Sequence, residues 1–105
     1  MTPPQIVRVL TLSFLLAGIT PSALAADVFS GREVYVMHCE ACHGADGRST
    51  DPGSPDFSNG DAMVQPDTYL YSKIRNGTAT MPAYRGILND AEVRNVIAYL
   101  RSLQK

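Results

Sequence analysis

Two cysteines and two histidines are all the thiol and imidazole this chain of 105 residues has, and they sit within six consecutive positions, His38-Cys39-Glu40-Ala41-Cys42-His43. The run Cys39-Glu40-Ala41-Cys42-His43 is a Cys-x-x-Cys-His motif, the spacing that attaches haem covalently through two thioethers and offers a histidine to its iron. Two cysteines three apart on a turn reach both vinyl groups of one porphyrin. The next residue then swings beneath the ring, which makes Cys39 and Cys42 the attachment residues and His43 an iron ligand.

Three other chemistries compete for these residues. A thioredoxin-type dithiol needs a surrounding strand-helix-strand pattern, whereas the segment before Cys39 reads as a helix. A zinc site would have to close a tetrahedron with four ligands from one short run, and zinc sites normally draw on separated pairs. A Cys39–Cys42 disulfide would close a very small loop and staple little. His38 does not offer a second axial imidazole, because it neighbours Cys39 and lies on the same side of the attachment turn as His43.

The elements around the motif must hold it. Arg8, the apolar stretch Val9 to Ile19 and the small-x-small signature Ala23-Leu24-Ala25 read as a signal peptide over residues 1–25, cleaved after Ala25. The apolar stretch is well short of the roughly 20 residues that a membrane-spanning helix requires. The expected product is an exported periplasmic protein of one domain, residues 26–105, that does not span the membrane once the signal is removed. A domain of this size is marginal on its own core and gains from a buried cofactor. The charge balance, 9 Lys and Arg against 10 Asp and Glu, has no basic excess for a phosphate backbone and excludes nucleic acid as a partner.

Periodicity predicts an all-α domain of three main helices. Ser30 and Glu33 fit a capping box that starts the first helix, which runs through Tyr35 toward His38. From Gly44 to Asn59 the breakers Gly44, Gly47, Pro52, Gly53 and Pro55 predict a loop wrapping the histidine side. A second helix is expected from about Pro66 to Asn76, with Gly77 past its end and Leu70 and Ile74 facing inward. The third has Asn89 as N-cap and Glu92 at N3, then Val93, Val96, Ile97, Leu100 and Leu103 on one stripe. That stripe should meet Gly31, Val34 and Tyr35 of the first helix in a close crossing.

With these elements in place the chain resembles the class I cytochromes c along the whole of residues 26–105. The resemblance implies a fold whose first and last helices pack together around a covalently bound haem, and a His/Met axial pair. It carries over onto Cys39, Cys42, His43 and, in Asn76-Gly77-Thr78-Ala79-Thr80-Met81-Pro82, Met81. Met63 is the rival methionine, in a position where an apolar thioether commonly fills core. Met81 precedes Pro82, which restrains the backbone on both sides of the bond between them.

A His/Met pair raises the reduction potential and leaves no open coordination site. The expected function is a periplasmic monohaem one-electron carrier, a monomer with one haem c and no enzymatic activity, docking transiently on respiratory redox proteins. A haem protein with an open sixth site (gas-binding or peroxidase-like) and a cytochrome subunit of an oxidase or dehydrogenase complex are the alternatives. The resemblance also suggests that a proline carbonyl, from Pro55 or else Pro52, orients the axial histidine. Tyr71, Thr78, Thr80 and Tyr84 flank the methionine side, and Lys73, Arg75 and Arg85 form a possible basic rim.

Overall fold

The structure is a computed structural model that describes residues 2–4, 18 and 25–104. Apart from residues 2–4, 18 and 25, the segment read as a signal peptide lies outside the described residues. Four helices follow in order: α1 (Val28–His38), α2 (Glu40–His43), α3 (Asp67–Asn76) and α4 (Asp90–Ser102). Short 3-10 turns at Ala45–Gly47 and Phe57–Asn59 punctuate the long connection from α2 to α3. Among the described residues there is no strand, and none of their helices is long and apolar enough to cross a membrane.

Helix α1 begins earlier than the Ser30 capping box predicts. Asp27 is its N-cap, accepting from the Phe29 and Ser30 backbone N–H groups. Ser30 lies inside the helix and donates its hydroxyl to the Asp27 carboxylate at 2.8 Å. Both residue types make good caps, and the Asp27 carboxylate is the one that reaches the orphan N–H groups. The two later helices match their signals. α3 runs from Asp67 with Pro66 at its N-cap and Gly77 at its C-cap, and α4 opens with the reciprocal Asn89–Glu92 capping box.

The main packing is α1 across α4. Their backbones touch so closely at Gly31 that a Cβ there would sit 1.9 Å from the Asn95 carbonyl oxygen, which is why no larger residue fits. Tyr35, 1% exposed, packs its ring 5.1 Å from that of Tyr99. Val93, Val96, Ile97 and Leu100 of α4 are buried, as are Leu70 and Ile74 of α3, so a single apolar core joins the three longer helices. Leu103, at the end of the stripe, is half-buried against it. A fully buried side chain of this kind contributes about 1.5–3 kcal/mol. The clasp also fixes where α1 ends, and hence where the cysteines stand.

Candidate haem site

Helix α1 stops at His38 because Cys39 leaves the helical region at φ −120°, and the chain restarts as the single turn α2. Cys42 and His43 both direct their backbone N–H to the Cys39 carbonyl, at 3.2 and 2.9 Å. The motif is thereby wound into one tight turn. Cys39 is half-buried, Cys42 exposed, and neither is in a disulfide. Burial pushes the Cys39 thiol up to about 11. A redox dithiol works through a thiol with a lowered pKa, so this environment opposes the thioredoxin-like alternative.

The turn opens on a cavity of about 340 Å³. Cys39, Cys42, His43 and Met81 all line it, with apolar walls from Phe57, Leu70, Ile74, Val96 and Leu100. Its size falls in the range of cofactor pockets, and its character is that of one: apolar walls with a few convergent polar groups. Two unpaired thiols, a buried imidazole and a thioether on one apolar cavity make a donor set that fits a covalently held haem. The buried Nδ1 of His43 has no hydrogen-bond partner, a further sign that the ring is set for a ligand or for an adjustment on binding one.

His43 is 9% exposed and its ring stacks on Phe57, 4.8 Å between centroids and 28° between planes. Burial lowers its pKa, and the Pro55 carbonyl and the Asp51 carboxylate partly offset that. The ring is therefore held in the neutral, metal-binding form. The Pro55 carbonyl lies near the ring without meeting hydrogen-bond geometry to Nδ1. Of the two prolines the sequence offers, Pro55 lines the cavity and Pro52 is exposed.

The methionines separate by position. Met81 is half-buried and faces the cavity, whereas Met37 is 76% exposed. Met63 packs against the core outside the cavity lining, its carbonyl accepting from the Arg101 guanidinium and its sulfur 4.0 Å from Arg101 Nη1. Arg101 also binds the Gln65 carbonyl and the Asp67 carboxylate, tying the approach to α3 onto α4. His38 stands at the cavity edge with its ring edge-on to Tyr84, 5.7 Å between centroids.

The polar residues near Met81 divide their work. The Thr78 hydroxyl oxygen accepts from the Thr80 and Met81 backbone N–H groups, at 3.3 and 3.1 Å, and closes the turn that presents the sulfur. Tyr71 turns away from the cavity and donates to Asp90, which also pairs with Arg75 at 2.9 Å. The expected basic rim is thus smaller than the sequence suggests. Arg75 is paired with Asp90, Arg85 binds the Asn76 side chain, and Lys73 lines the cavity, as Asp51 also does. Phe57 and Arg101 were not singled out by the sequence, because their partners lie too far along the chain for any local pattern to mark them.

Comparison with known proteins agrees with this architecture. A family model described as cytochrome C oxidase, cbb3-type, subunit III matches residues 26–100. Cytochrome c6 of Thermosynechococcus vestitus is 33% identical over 89 residues, which cover 82% of this chain and 79% of that protein. Cytochrome c6 of Porphyra purpurea is 31% identical over 93 residues, covering 86% and 84%. Among solved structures, the c-type cytochrome KustC0563 superposes with a TM-score of 0.66 at 28% identity, covering 71% of this chain and 98% of its own. Cytochrome c6 from the diatom Phaeodactylum tricornutum does so with a TM-score of 0.59 at 27% identity, covering 72% and 92%. The chain belongs to the class I c-type cytochromes, monohaem electron carriers with one covalently bound haem c.

Proposed function

We propose that this cytochrome is an exported, periplasmic one-electron shuttle that works as a monomer and visits its redox partners in turn. Cys39 and Cys42 would hold the haem through thioethers, and His43 and Met81 would ligate its iron. Bound in this way, the haem supplies a one-electron couple whose potential the nitrogen and sulfur donors raise. His43 supplies a neutral imidazole braced by Phe57, and the turn closed by Thr78 presents the Met81 thioether. The apolar walls keep water from the iron and limit the reorganisation that accompanies electron transfer. With His43 and Met81 both committed to the iron, the centre would carry electrons and do no chemistry on a substrate.

The observation that carries the reading is the convergence of two thiols, one imidazole and one thioether on a single apolar cavity. Free movement between partners is favoured over a fixed place in an oxidase by the curated relatives, which are cytochromes c6 matched over most of their length. Export is favoured by the leader-like pattern of residues 1–25, and haem is ordinarily attached to such motifs on the exported side of the membrane.

Two measurements on protein expressed with haem-ligation machinery test it. Mass spectrometry should give the mass of residues 26–105 plus one haem; the mass of the bare polypeptide with free thiols would refute covalent attachment. The oxidised protein should show the weak long-wavelength sulfur-to-iron band and lose it in Met81→Ala. Survival of that band in the variant would transfer the role to Met63.

A further inference from the structure

The stretch that carries Met81 is restrained mostly by itself and by α3. Thr78 N–H donates to the Met81 carbonyl at 2.9 Å, Tyr84 N–H to the Ile74 carbonyl at 3.0 Å and Arg85 N–H to the Arg75 carbonyl at 3.1 Å. None of these reaches the attachment turn. Among the described residues one hydrogen bond from this stretch does: the Tyr84 hydroxyl donates to the His38 carbonyl at 2.7 Å, across 46 positions of sequence.

That carbonyl is available for a definite reason. In a continuous helix it would accept from Cys42 N–H, but the break at Cys39 sends that N–H to the Cys39 carbonyl instead. The last carbonyls of a helix need a partner from outside it, and the Tyr84 phenol supplies one. Burial raises the phenol's pKa, which keeps it a donor. The Tyr84 carbonyl in turn accepts from the Ile87 and Leu88 N–H groups at 2.9 and 3.0 Å, so the residue is anchored on its backbone side as well. Tyr84 also lines the cavity beside Met81.

We propose that the Tyr84 hydroxyl is a latch that closes the methionine wall onto the attachment turn and thereby sets how readily Met81 gives up its place to another ligand. Tyr84 is a positioning residue, acting through the backbone that holds Met81, and the inference rests on the reading of Met81 as an axial ligand. Phenylalanine would keep the edge-on packing with His38 and delete only the bond. Tyr35→Phe is the matched control, since its hydroxyl donates to the Gly44 carbonyl at 2.6 Å on the histidine side.

The test uses the ferric holoprotein with imidazole as the competing ligand, together with amide hydrogen exchange over residues 78–85. Tyr84→Phe should speed imidazole binding by roughly fivefold, the effect of one ordinary hydrogen bond, and raise exchange in that stretch while leaving α4 protected. Tyr35→Phe should do neither. Unchanged exchange in Tyr84→Phe, or an equal acceleration in Tyr35→Phe, would overturn the latch. Raised exchange with an unchanged imidazole rate would overturn its control of ligand exchange. Met81→Ala separates this from the ligand assignment: if that variant keeps the sulfur-to-iron band, the assignment fails, whatever Tyr84→Phe does to exchange.

Discussion

On one wall of the cavity His43 is 9% exposed, stacked on Phe57 and followed directly by the buried Gly44; on the other Met81 is half-buried among the exposed residues Thr78, Thr80 and Pro82. The histidine comes from the same turn as the cysteines proposed for attachment, so it could not drift from a group tethered there. The methionine arrives on a separate stretch, placed by a few hydrogen bonds to α3 and one to the end of α1. Local opening begins where buried apolar contacts are few and backbone bonds are exposed. The contrast teaches that the imidazole is built into the core and the thioether is held by a removable wall, so that, with His43 and Met81 as the proposed iron ligands, loss of ligation should start with sulfur.

The largest effect is expected from Gly44→Ala on the histidine wall. Gly44 has φ 77° and ψ 163°, a conformation essentially restricted to glycine. A Cβ there would also stand 1.6 Å from the Arg48 carbonyl oxygen. Backbone strain and overpacking together should cost about 3–5 kcal/mol, a large part of what a domain this small has. Urea denaturation should register the loss, and the yield of haem-loaded protein should fall with it. A variant that loads haem normally with unchanged stability would contradict the rigid character given to this wall.

Thr78→Ala strikes the other wall and should do less, and do it selectively. It removes the hydroxyl that accepts from the Thr80 and Met81 N–H groups, at a cost of about 1 kcal/mol. The sulfur-to-iron band should weaken at lower urea concentration than in the parent, ahead of the far-ultraviolet helix signal. Simultaneous loss of both signals would mean that the two walls open together and that their difference has no energetic meaning.

The two walls also differed in how far the sequence revealed them. The histidine wall announces itself through Cys39, Cys42 and His43, because thioether attachment demands a fixed local spacing. The clasp that positions it was readable too, from Gly31, the stripe Val93 to Leu100 and the Asn89 cap, all of them local patterns with a known period. The start of α1 was misplaced because Asp27 and Ser30 are both good caps and only the geometry shows which one accepts. The methionine wall was readable only as far as Met81-Pro82. Its fastenings join residues distant in sequence, Tyr84 to His38 and Arg75 to Asp90, and pairings of that kind leave no periodic trace.

The smallest expected effect is a dependence on pH confined to the methionine side. Asp90, in the first turn of α4, accepts from Tyr71 and pairs with Arg75, and both partners stand on α3, whose end leads into the Met81 stretch. The hydrogen bond from Tyr71 is the chief cause holding the Asp90 carboxyl below its ordinary value of 3.8, with Arg75 and Arg94 adding to it. A carboxyl lowered in the folded protein stabilises the fold above its unfolded value and loses that contribution as pH falls through its folded one. The α3–α4 contact should therefore weaken as the solution is acidified below 3.8 and stay unaffected at neutral pH. Asp90→Asn should remove this component from the acid titration of stability. Asp27, whose carboxyl is also lowered, chiefly by the Ser30 hydroxyl, titrates in the same window but is present in both proteins and cancels from their difference. The side chain is exposed and screened, so the difference should be small and should shrink further in high salt. Identical acid profiles for the parent and Asp90→Asn would mean that the Asp90 contact adds nothing to the seating of α3, which then rests on its buried Leu70 and Ile74 and on the Arg101–Asp67 pair, and the methionine wall would be more firmly seated than its exposure suggests.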